Sequence, residues 1–242
     1  MFSMEKNIHF ADTPICQSCG MPLTAPEQFG KNADGTTNGD YCVYCCPNGE
    51  ANMTGTLDEM IDFCAMAGIP AMHSHFGFIP EDPSSEQYKD FIKVMQDLAN
   101  YAKERDMMIY FETGQETPTT LIRAIKDIGT GNVFVNCDLA NLLMYGKANS
   151  LDAVKQFGSL IKEFHAKDGK YPDPNNPYEL GAEVPIPTGE VDFPAVIAEL
   201  KKQGFQGALT IECELNGARH DYVVQTRKYL QDLLNTSAKS TK

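Results

Sequence analysis

The sequence predicts an α/β protein in which a small cysteine-rich module precedes about five βα units of a parallel sheet. Residues 14–55 are rich in Gly, Pro, Asn, Thr and Cys and show neither helical nor strand periodicity, so this segment buries little apolar surface. From Thr56 onward, apolar strands alternate with amphipathic helices, which is the pattern of βα units around a parallel sheet. We therefore assign the module to 14–55, the βα region to 56–236 and a disordered tail to 237–242.

The module contains two C-x-x-C pairs, which are Cys16 with Cys19 and Cys42 with Cys45. Two such pairs supply the four thiolates of a closed, tetrahedral structural zinc site. Buried or disulfide-linked cysteines are the alternative. The runs CQSCGMPL, NADG and YCVYC resemble the zinc-ribbon family over about residues 14–63, although Cys46 stands where that family usually has an aromatic residue. The resemblance implies a structural Zn at the four paired cysteines.

The βα region begins with a predicted helix over 56–67, with Thr56 as N-cap and Glu59 as its capping-box partner. A strand at 69–75 and a long helix from about 85 to 105 follow, and in that helix apolar residues recur at i, i+3 and i+4. The remaining predicted elements are strand 107–112, helix 119–127, strand 133–138, helix 150–157, a strand leading into His165, helix 192–203, strand 208–214 and a helix from about 218 to 234. A Pro- and Gly-rich loop of roughly 25 residues precedes helix 192–203, and loops of that length are usually functional.

Four of these strands end in, or close to, a residue that can bind a metal or move a proton: Glu112, Asp138, His165 and Glu212. Parallel βα architectures place their chemistry at the C-terminal ends of strands. Carboxylates with one neutral imidazole suit Mn, Mg, Co or Zn and leave positions open for substrate oxygens. Considered singly, each residue could equally be a helix cap or a turn former.

The segments HFGFIPEDP, FETGQETP, CDLANLLMYG, FHAKDGKYP and IPTGEVDFPAVIAELKKQGFQGALTIECE resemble the sugar phosphate isomerase/epimerase family of xylose-isomerase-like TIM barrels. The similarity runs from about Ile69 to Leu234. It implies that one divalent metal is bound by the four strand-end residues, with the two glutamates on opposite sides of a bound ketose.

Further residues near the strand ends complete the expected site. Glu214 lies on the same strand face as Glu212 and is the alternative fourth ligand. His75, Lys167 and Asp168 are the candidate substrate contacts. His73 departs from the aligned pattern and is expected to be a packing or surface histidine.

The reaction that the resemblance implies is isomerisation or epimerisation of a small sugar or sugar phosphate through an enediolate, with Glu112 and Glu212 as acid and base. A non-catalytic metal-binding or assembly protein derived from a truncated barrel is the alternative. An abasic-site endonuclease is less favoured, because 20 Lys and Arg against 33 Asp and Glu give a net charge of −13, which repels a phosphate backbone. We expect no nucleic-acid partner.

The strand count predicts an incomplete barrel. A complete one needs eight βα units and typically about 250 residues, and the resemblance makes the strand at 69–75 the fourth. The expected fold is therefore strands 4 to 8 of a (β/α) TIM-type barrel behind a small zinc ribbon. Open sheet edges would expose unpaired backbone, so we expect a homo-oligomer. No apolar signal or membrane-spanning stretch is found, and we expect a cytoplasmic protein without a membrane partner.

Overall fold

The structure is a computed structural model that describes residues 14, 16, 23–50, 56–176, 178–215 and 219–239. The chain divides into two compact units: Met1–Met60 with His75–Phe78, and Ile61–Ser74 with Ile79–Lys242. The predicted domain boundaries stay a prediction. Among the described helices, none has a long enough apolar stretch to cross a membrane.

The first unit contains an antiparallel hairpin of β1 (Phe29–Lys31) and β2 (Thr37–Cys42). The turn between the strands is closed by Asp34, whose Oδ1 accepts a hydrogen bond from the Thr36 N–H at 2.9 Å. The buried cluster of this unit consists of Cys16, Leu23 and Cys42, with Phe29, Tyr41 and Cys45 packed against them. Cys46 is also buried. Cysteine side chains thus form much of the buried cluster of this unit.

The second unit is built on a parallel sheet. Its strands, in chain order, are β3 (Ala71–Ser74), β4 (Met108–Glu112), β5 (Val133–Asp138), β6 (Ile161–Ala166), β7 (Asp168–Lys170), β8 (Ala182–Val184) and β9 (Leu209–Ile211). Five of them form one sheet in the order β3-β4-β5-β6-β9, every neighbouring pair being parallel. This confirms the predicted fold class, an α/β half-barrel consistent with an incomplete TIM barrel.

Seven α-helices are described: α1 (Leu57–Met66), α2 (Glu86–Lys103), α3 (Pro118–Ile128), α4 (Leu139–Met144), α5 (Ser150–Phe157), α6 (Phe193–Lys202) and α7 (Arg219–Lys239). The predicted capping box of α1 is present, because Thr56 Oγ1 accepts from the Glu59 N–H at 3.1 Å and Glu59 Oε2 accepts from the Thr56 N–H at 2.8 Å. Ser85 caps α2 by accepting from the Tyr88 N–H at 3.2 Å.

The core lies on the face of the sheet that the helices cover, where α2 packs on β4 and α3 on β5. Alternate strand residues supply it, and Ile109, Phe111, Val135, Cys137 and Phe164 are all buried. The intervening residues of the same strands point to the opposite face. Polar and titratable side chains therefore collect on that second face.

Three features were not predicted from the sequence: the hairpin of β1 and β2, the helix α4 and the pair of β7 and β8. The helix α4 follows Asp138 directly, and the antiparallel pair β7 and β8 lies inside the segment that the sequence predicts to be an irregular loop. Asp168 anchors this loop, because its carboxylate accepts hydrogen bonds from the backbone N–H groups of Gly169 (2.9 Å), Gly189 (2.8 Å) and Val191 (3.1 Å). The strand β9 is shorter than predicted, and α7 runs past residue 234 to Lys239.

Candidate metal centre

Four potential ligands meet at the C-terminal edge of the sheet. Glu112 ends β4, Asp138 ends β5, His165 lies near the end of β6, and Glu212 directly follows β9. The sheet register pairs Asp138 with His165 across β5 and β6. One ligand atom from each of the four lies within 4.8 Å of the others. The structure therefore brings together all four residues that the sequence predicts as ligands.

His165 directs one nitrogen at the carboxylates. Its Nδ1 lies 2.8 Å from Glu212 Oε2 and 3.3 Å from Glu112 Oε1, and its Nε2 lies 3.0 Å from Asn136 Nδ2. Burial by itself lowers the pKa of His165, but the hydrogen bonds and negative charges of Glu112 and Glu212 outweigh it and raise this pKa to about 10. A metal in this centre would accordingly be bound through Nδ1 and would replace a proton there.

The two carboxylate oxygens of Asp138 have different surroundings. Its Oδ1 accepts from the Asn141 N–H at 2.9 Å and caps α4. Within the described residues, its Oδ2 is buried without a hydrogen-bond partner, and the Lys167 Nζ is 3.7 Å away. Burial raises the pKa of Asp138, and the charge of Lys167 offsets part of that rise. Since a buried oxygen without a partner is costly, a bound cation fits this position.

Glu212 is the ionised partner in this group. The hydrogen bond from His165 holds the pKa of Glu212 well below its usual range, against the opposing effect of burial. Three carboxylates and one imidazole form a mixed oxygen and nitrogen donor set, which suits a divalent cation. The residues present thus fit a metal in both geometry and charge.

The sequence profile of the family described as xylose isomerase-like TIM barrel matches residues 45–233. The chain belongs to this family. The resemblance to xylose-isomerase-like TIM barrels drawn from the sequence is thereby confirmed, whereas a zinc ribbon is not shown by this match.

Two curated relatives carry the names of enzymes that act on small molecules. An inosose dehydratase from Clostridium tetani is 25% identical over 166 residues, which cover 62% of this chain and 55% of the relative. A 2-oxo-tetronate isomerase from Haemophilus influenzae is 23% identical over 207 residues, which cover 78% of this chain and 72% of the relative. The chain thus spans little more than half of the first relative.

Two solved structures share the fold. A xylose isomerase domain protein from Planctomyces limnophilus matches with 32% identity and a TM-score of 0.70, over 76% of this chain and 64% of that one. A xylose isomerase-like TIM barrel protein from Mycobacterium smegmatis, solved in complex with magnesium, matches with 17% identity and a TM-score of 0.59, over 74% of this chain and 66% of that one. Both spans agree with a partial barrel of this family.

Lys167 is the candidate substrate contact that lies at the centre. Its buried Nζ is 2.9 Å from Glu214 Oε2, 3.5 Å from Glu212 Oε1 and 3.7 Å from Asp138 Oδ2. Burial lowers the pKa of Lys167, but the carboxylates outweigh that effect and raise it, so the amine is charged. Glu214, the alternative ligand, is exposed and bonds to this lysine, and it is not a member of the four-residue cluster.

The other two candidate substrate contacts lie elsewhere. Asp168 is buried, and its carboxylate is engaged by the backbone of the long loop, as described above. His75 follows β3 and belongs to the first compact unit. Their predicted contacts with substrate stay predictions.

Three polar residues that support the ligands were missed. Thr113 Oγ1 donates to the Asp138 carbonyl at 2.5 Å and accepts from the Asp138 N–H at 2.8 Å. Asn141 Nδ2 donates to the Thr113 carbonyl at 3.1 Å, and Asn136 contacts His165. Two signals were available in the sequence. Thr113 follows a predicted ligand directly, and Asn136 lies two residues before Asp138, on the same strand face.

A second group of potential ligands lies in the first unit. The sulfur atoms of Cys16, Cys42 and Cys45 lie within 4.8 Å of one another. Cys16 Sγ also accepts a hydrogen bond from the Cys42 N–H at 3.2 Å. Cys19, the fourth predicted ligand, lies outside the described residues. The structure therefore brings together three of the four predicted cysteines.

Proposed function

We propose that the chain is a metal-dependent isomerase or epimerase that acts on a small sugar or sugar phosphate through an enediolate intermediate. The observation that carries this proposal is the cluster of Glu112, Asp138, His165 and Glu212, whose ligand atoms lie within 4.8 Å of one another at neighbouring strand ends. Membership of the xylose isomerase-like family and the isomerase named among the relatives support it.

The four clustered residues would hold one divalent cation, of the Mn, Mg, Co or Zn group. When bound, the cation supplies positive charge that polarises a substrate carbonyl and stabilises the negative charge of an enediolate. The buried Asp138 Oδ2, which has no hydrogen-bond partner among the described residues, supports its binding. The magnesium named with the Mycobacterium smegmatis structure supports the same class of ion.

The two glutamates would move the proton. A carboxylate accepts a proton only when it is ionised. In the metal-free fold the hydrogen bond from His165 lowers the pKa of Glu212, and a cation in place of the His165 proton would favour the ionised form in the same way. One glutamate removes the proton from the carbon beside the carbonyl, and the other glutamate, or the same one, returns it. Return to the opposite face of that carbon gives an epimer, and return to the neighbouring carbon gives an aldose. The charged amine of Lys167 would donate to a substrate oxygen.

Solvent exchange tests this proposal. The protein is incubated with Mn²⁺ and a panel of small ketoses and ketose phosphates in D₂O, and deuterium beside the carbonyl is followed by NMR. We expect incorporation with at least one ketose, lost in Glu112→Gln and Glu212→Gln and retained in Glu104→Gln, at an exposed glutamate that follows α2 and is outside the cluster. Metal binding without exchange in any ketose would instead support the non-catalytic, metal-binding alternative.

We also propose that two or more copies of the chain associate. The outer strands β3 and β9 each pair with a single strand in the part of the chain that the structure describes. An open parallel edge is prone to association, and a second copy would cover it. Native mass spectrometry tests this, since a strictly monomeric protein at micromolar concentration would contradict it.

For the first unit, we propose a structural zinc ion held by Cys16, Cys19, Cys42 and Cys45. The three described sulfur atoms and the N–H donated to Cys16 support it. Zinc–thiolate sites require reduced cysteines, which agrees with the cytoplasmic location expected from the sequence.

A further inference from the structure

A second set of ligand atoms lies on the same face of the sheet, one layer closer to the N-terminal ends of the strands. His73 of β3 and Glu163 of β6 form it together with His165. His73 Nδ1 lies 2.9 Å from Glu163 Oε2, and the rings of His73 and His165 meet edge to face with centroids 5.2 Å apart. Glu163 precedes His165 by two residues, so both side chains point to one face of the strand.

The ligand atoms of these three residues all lie within 4.8 Å of one another. Two imidazoles and one carboxylate form a donor set that transition metals prefer. The set also opens to solvent, because the side chain of His73 is 40% exposed and that of Glu163 is 23% exposed. A metal ion could therefore reach it without passing through the first centre.

An independent observation concerns Asn136, which is fully buried and pairs with Glu163 in the register of β5 and β6. Its amide group contacts His165 Nε2 at 3.0 Å. Among the described residues its Oδ1 has no hydrogen-bond partner. The two ends of an amide are interchangeable by a half-turn, and that half-turn would bring the oxygen to Nε2. There the oxygen would accept from the Nε2–H of the protonated His165 ring, so it lies beside the ring nitrogen that a second metal would use.

We propose that His73, Glu163 and Nε2 of His165, with the amide oxygen of Asn136, bind a second divalent transition metal. This site rests on the proposed function only in sharing His165. With an ion in each site, His165 would offer Nδ1 to one and Nε2 to the other, and both of its ring protons would be released to solvent. With two imidazole ligands, the second site favours Zn²⁺ or Co²⁺. The first centre, with three carboxylates, also suits Mg²⁺ or Mn²⁺. Thr210 Oγ1, 3.4 Å from Glu163 Oε1, helps to orient the carboxylate.

The test measures the zinc content of the full chain. The protein is saturated with Zn²⁺, excess metal is removed by gel filtration, and the bound zinc is measured by inductively coupled plasma mass spectrometry. We expect His73→Phe and Glu163→Gln each to hold one ion fewer per chain than the unmodified protein. The double variant His73→Phe with Glu112→Gln is expected to hold two fewer. His220→Gln, at an exposed histidine of α7, is the matched control and should lose none. Zinc bound at cysteines is common to all variants and cancels in these differences.

Two results would overturn the second site: unchanged zinc content in His73→Phe and Glu163→Gln, or a double variant that loses no more than Glu112→Gln alone. If Glu112→Gln loses no metal while His73→Phe loses one ion, the proposed catalytic centre fails and the second site stands. Glu163→Gln preserves the shape of the side chain, and circular dichroism of each variant confirms that the fold is retained. A visible absorption spectrum with Co²⁺ that loses intensity in His73→Phe provides a second readout.

Discussion

The affinity of the metal centre should rise steeply with pH, because the metal competes with a proton on His165. In the metal-free fold the carboxylates of Glu112 and Glu212 raise the pKa of His165 to about 10. Below that pH, each unit of pH changes the cost of removing this proton by about 1.4 kcal/mol. We therefore expect the apparent affinity for Mn²⁺ to rise about tenfold per unit, or about a hundredfold between pH 6 and 8, from this proton alone.

The direction of the pH dependence of stability follows from the same raised pKa of His165. A raised pKa of His165 stabilises the metal-free fold below 6.5, the ordinary value, and that contribution is lost as the pH rises through about 10. Metal binding has the opposite dependence, since only the deprotonated Nδ1 can be a ligand. The protonated state thus competes with the metal throughout the neutral range.

Isothermal titration calorimetry measures both the affinity for Mn²⁺ and the number of protons released on binding. Titrations of Mn²⁺ in buffers with different enthalpies of ionisation give the number of protons released, which we expect to be about one or more at pH 7. Glu214→Gln should show the same pH dependence, because Glu214 contacts Lys167 and is outside the cluster. An affinity that is constant between pH 6 and 8, with no proton released, would refute the assignment of His165 Nδ1 as a ligand.

Three further predictions concern stability and zinc. Cys42→Ser should remove one zinc ion per chain, measured by metal analysis, and an unchanged zinc content would contradict the proposed cysteine site. Gly189→Ala should lower the free energy of unfolding by about 1–3 kcal/mol in urea, because its new Cβ would lie 2.1 Å from Asp168 Oδ1; Gly39→Ala, with nothing within 4 Å, is the control and should change it little. Ser85→Ala should cost about 1 kcal/mol through the lost cap of α2, and an unchanged urea midpoint would argue against that cap.

The four clustered residues could be predicted because their signals are local. Each one ends, or nearly ends, a short apolar run, and parallel strands bring such ends to one edge whatever their order. The same reasoning gave the existence and type of the main helices and strands. It needed no knowledge of which strand lies beside which.

The contacts around those residues depend on register, which the sequence does not state. Asn136 reaches His165 because the pairing of β5 with β6 shifts between Val135 and Asn136. The local sequence pattern does not predict a shift in strand register. His73 was likewise expected to be a packing or surface residue. Two strands separate β3 from β6 in the sheet, so only the curvature of the half-barrel brings His73 to Glu163.

The helix α4 escaped prediction for a different reason. Five of its six residues, from Leu139 to Leu143, are buried, so the segment has no polar stripe from which a helical period could be read. Its N-cap is Asp138, the residue that the sequence analysis assigned to the metal. This carboxylate therefore has two roles. Its Oδ1 caps the helix by accepting from the Asn141 N–H, and its Oδ2 is the proposed metal ligand.

This double role of Asp138 links the metal centre to the stability of the sheet. Its backbone is held by Thr113, its Oδ1 by α4, and Asn141 joins both by donating to the Thr113 carbonyl. These contacts fix Oδ2 before any metal binds, so the ordering cost falls on folding and not on metal binding. The four clustered residues also come from the four consecutive strands β4, β5, β6 and β9 of one sheet. Metal binding should therefore be a property of these strands alone, whereas turnover further depends on what encloses the substrate on the open face of the sheet.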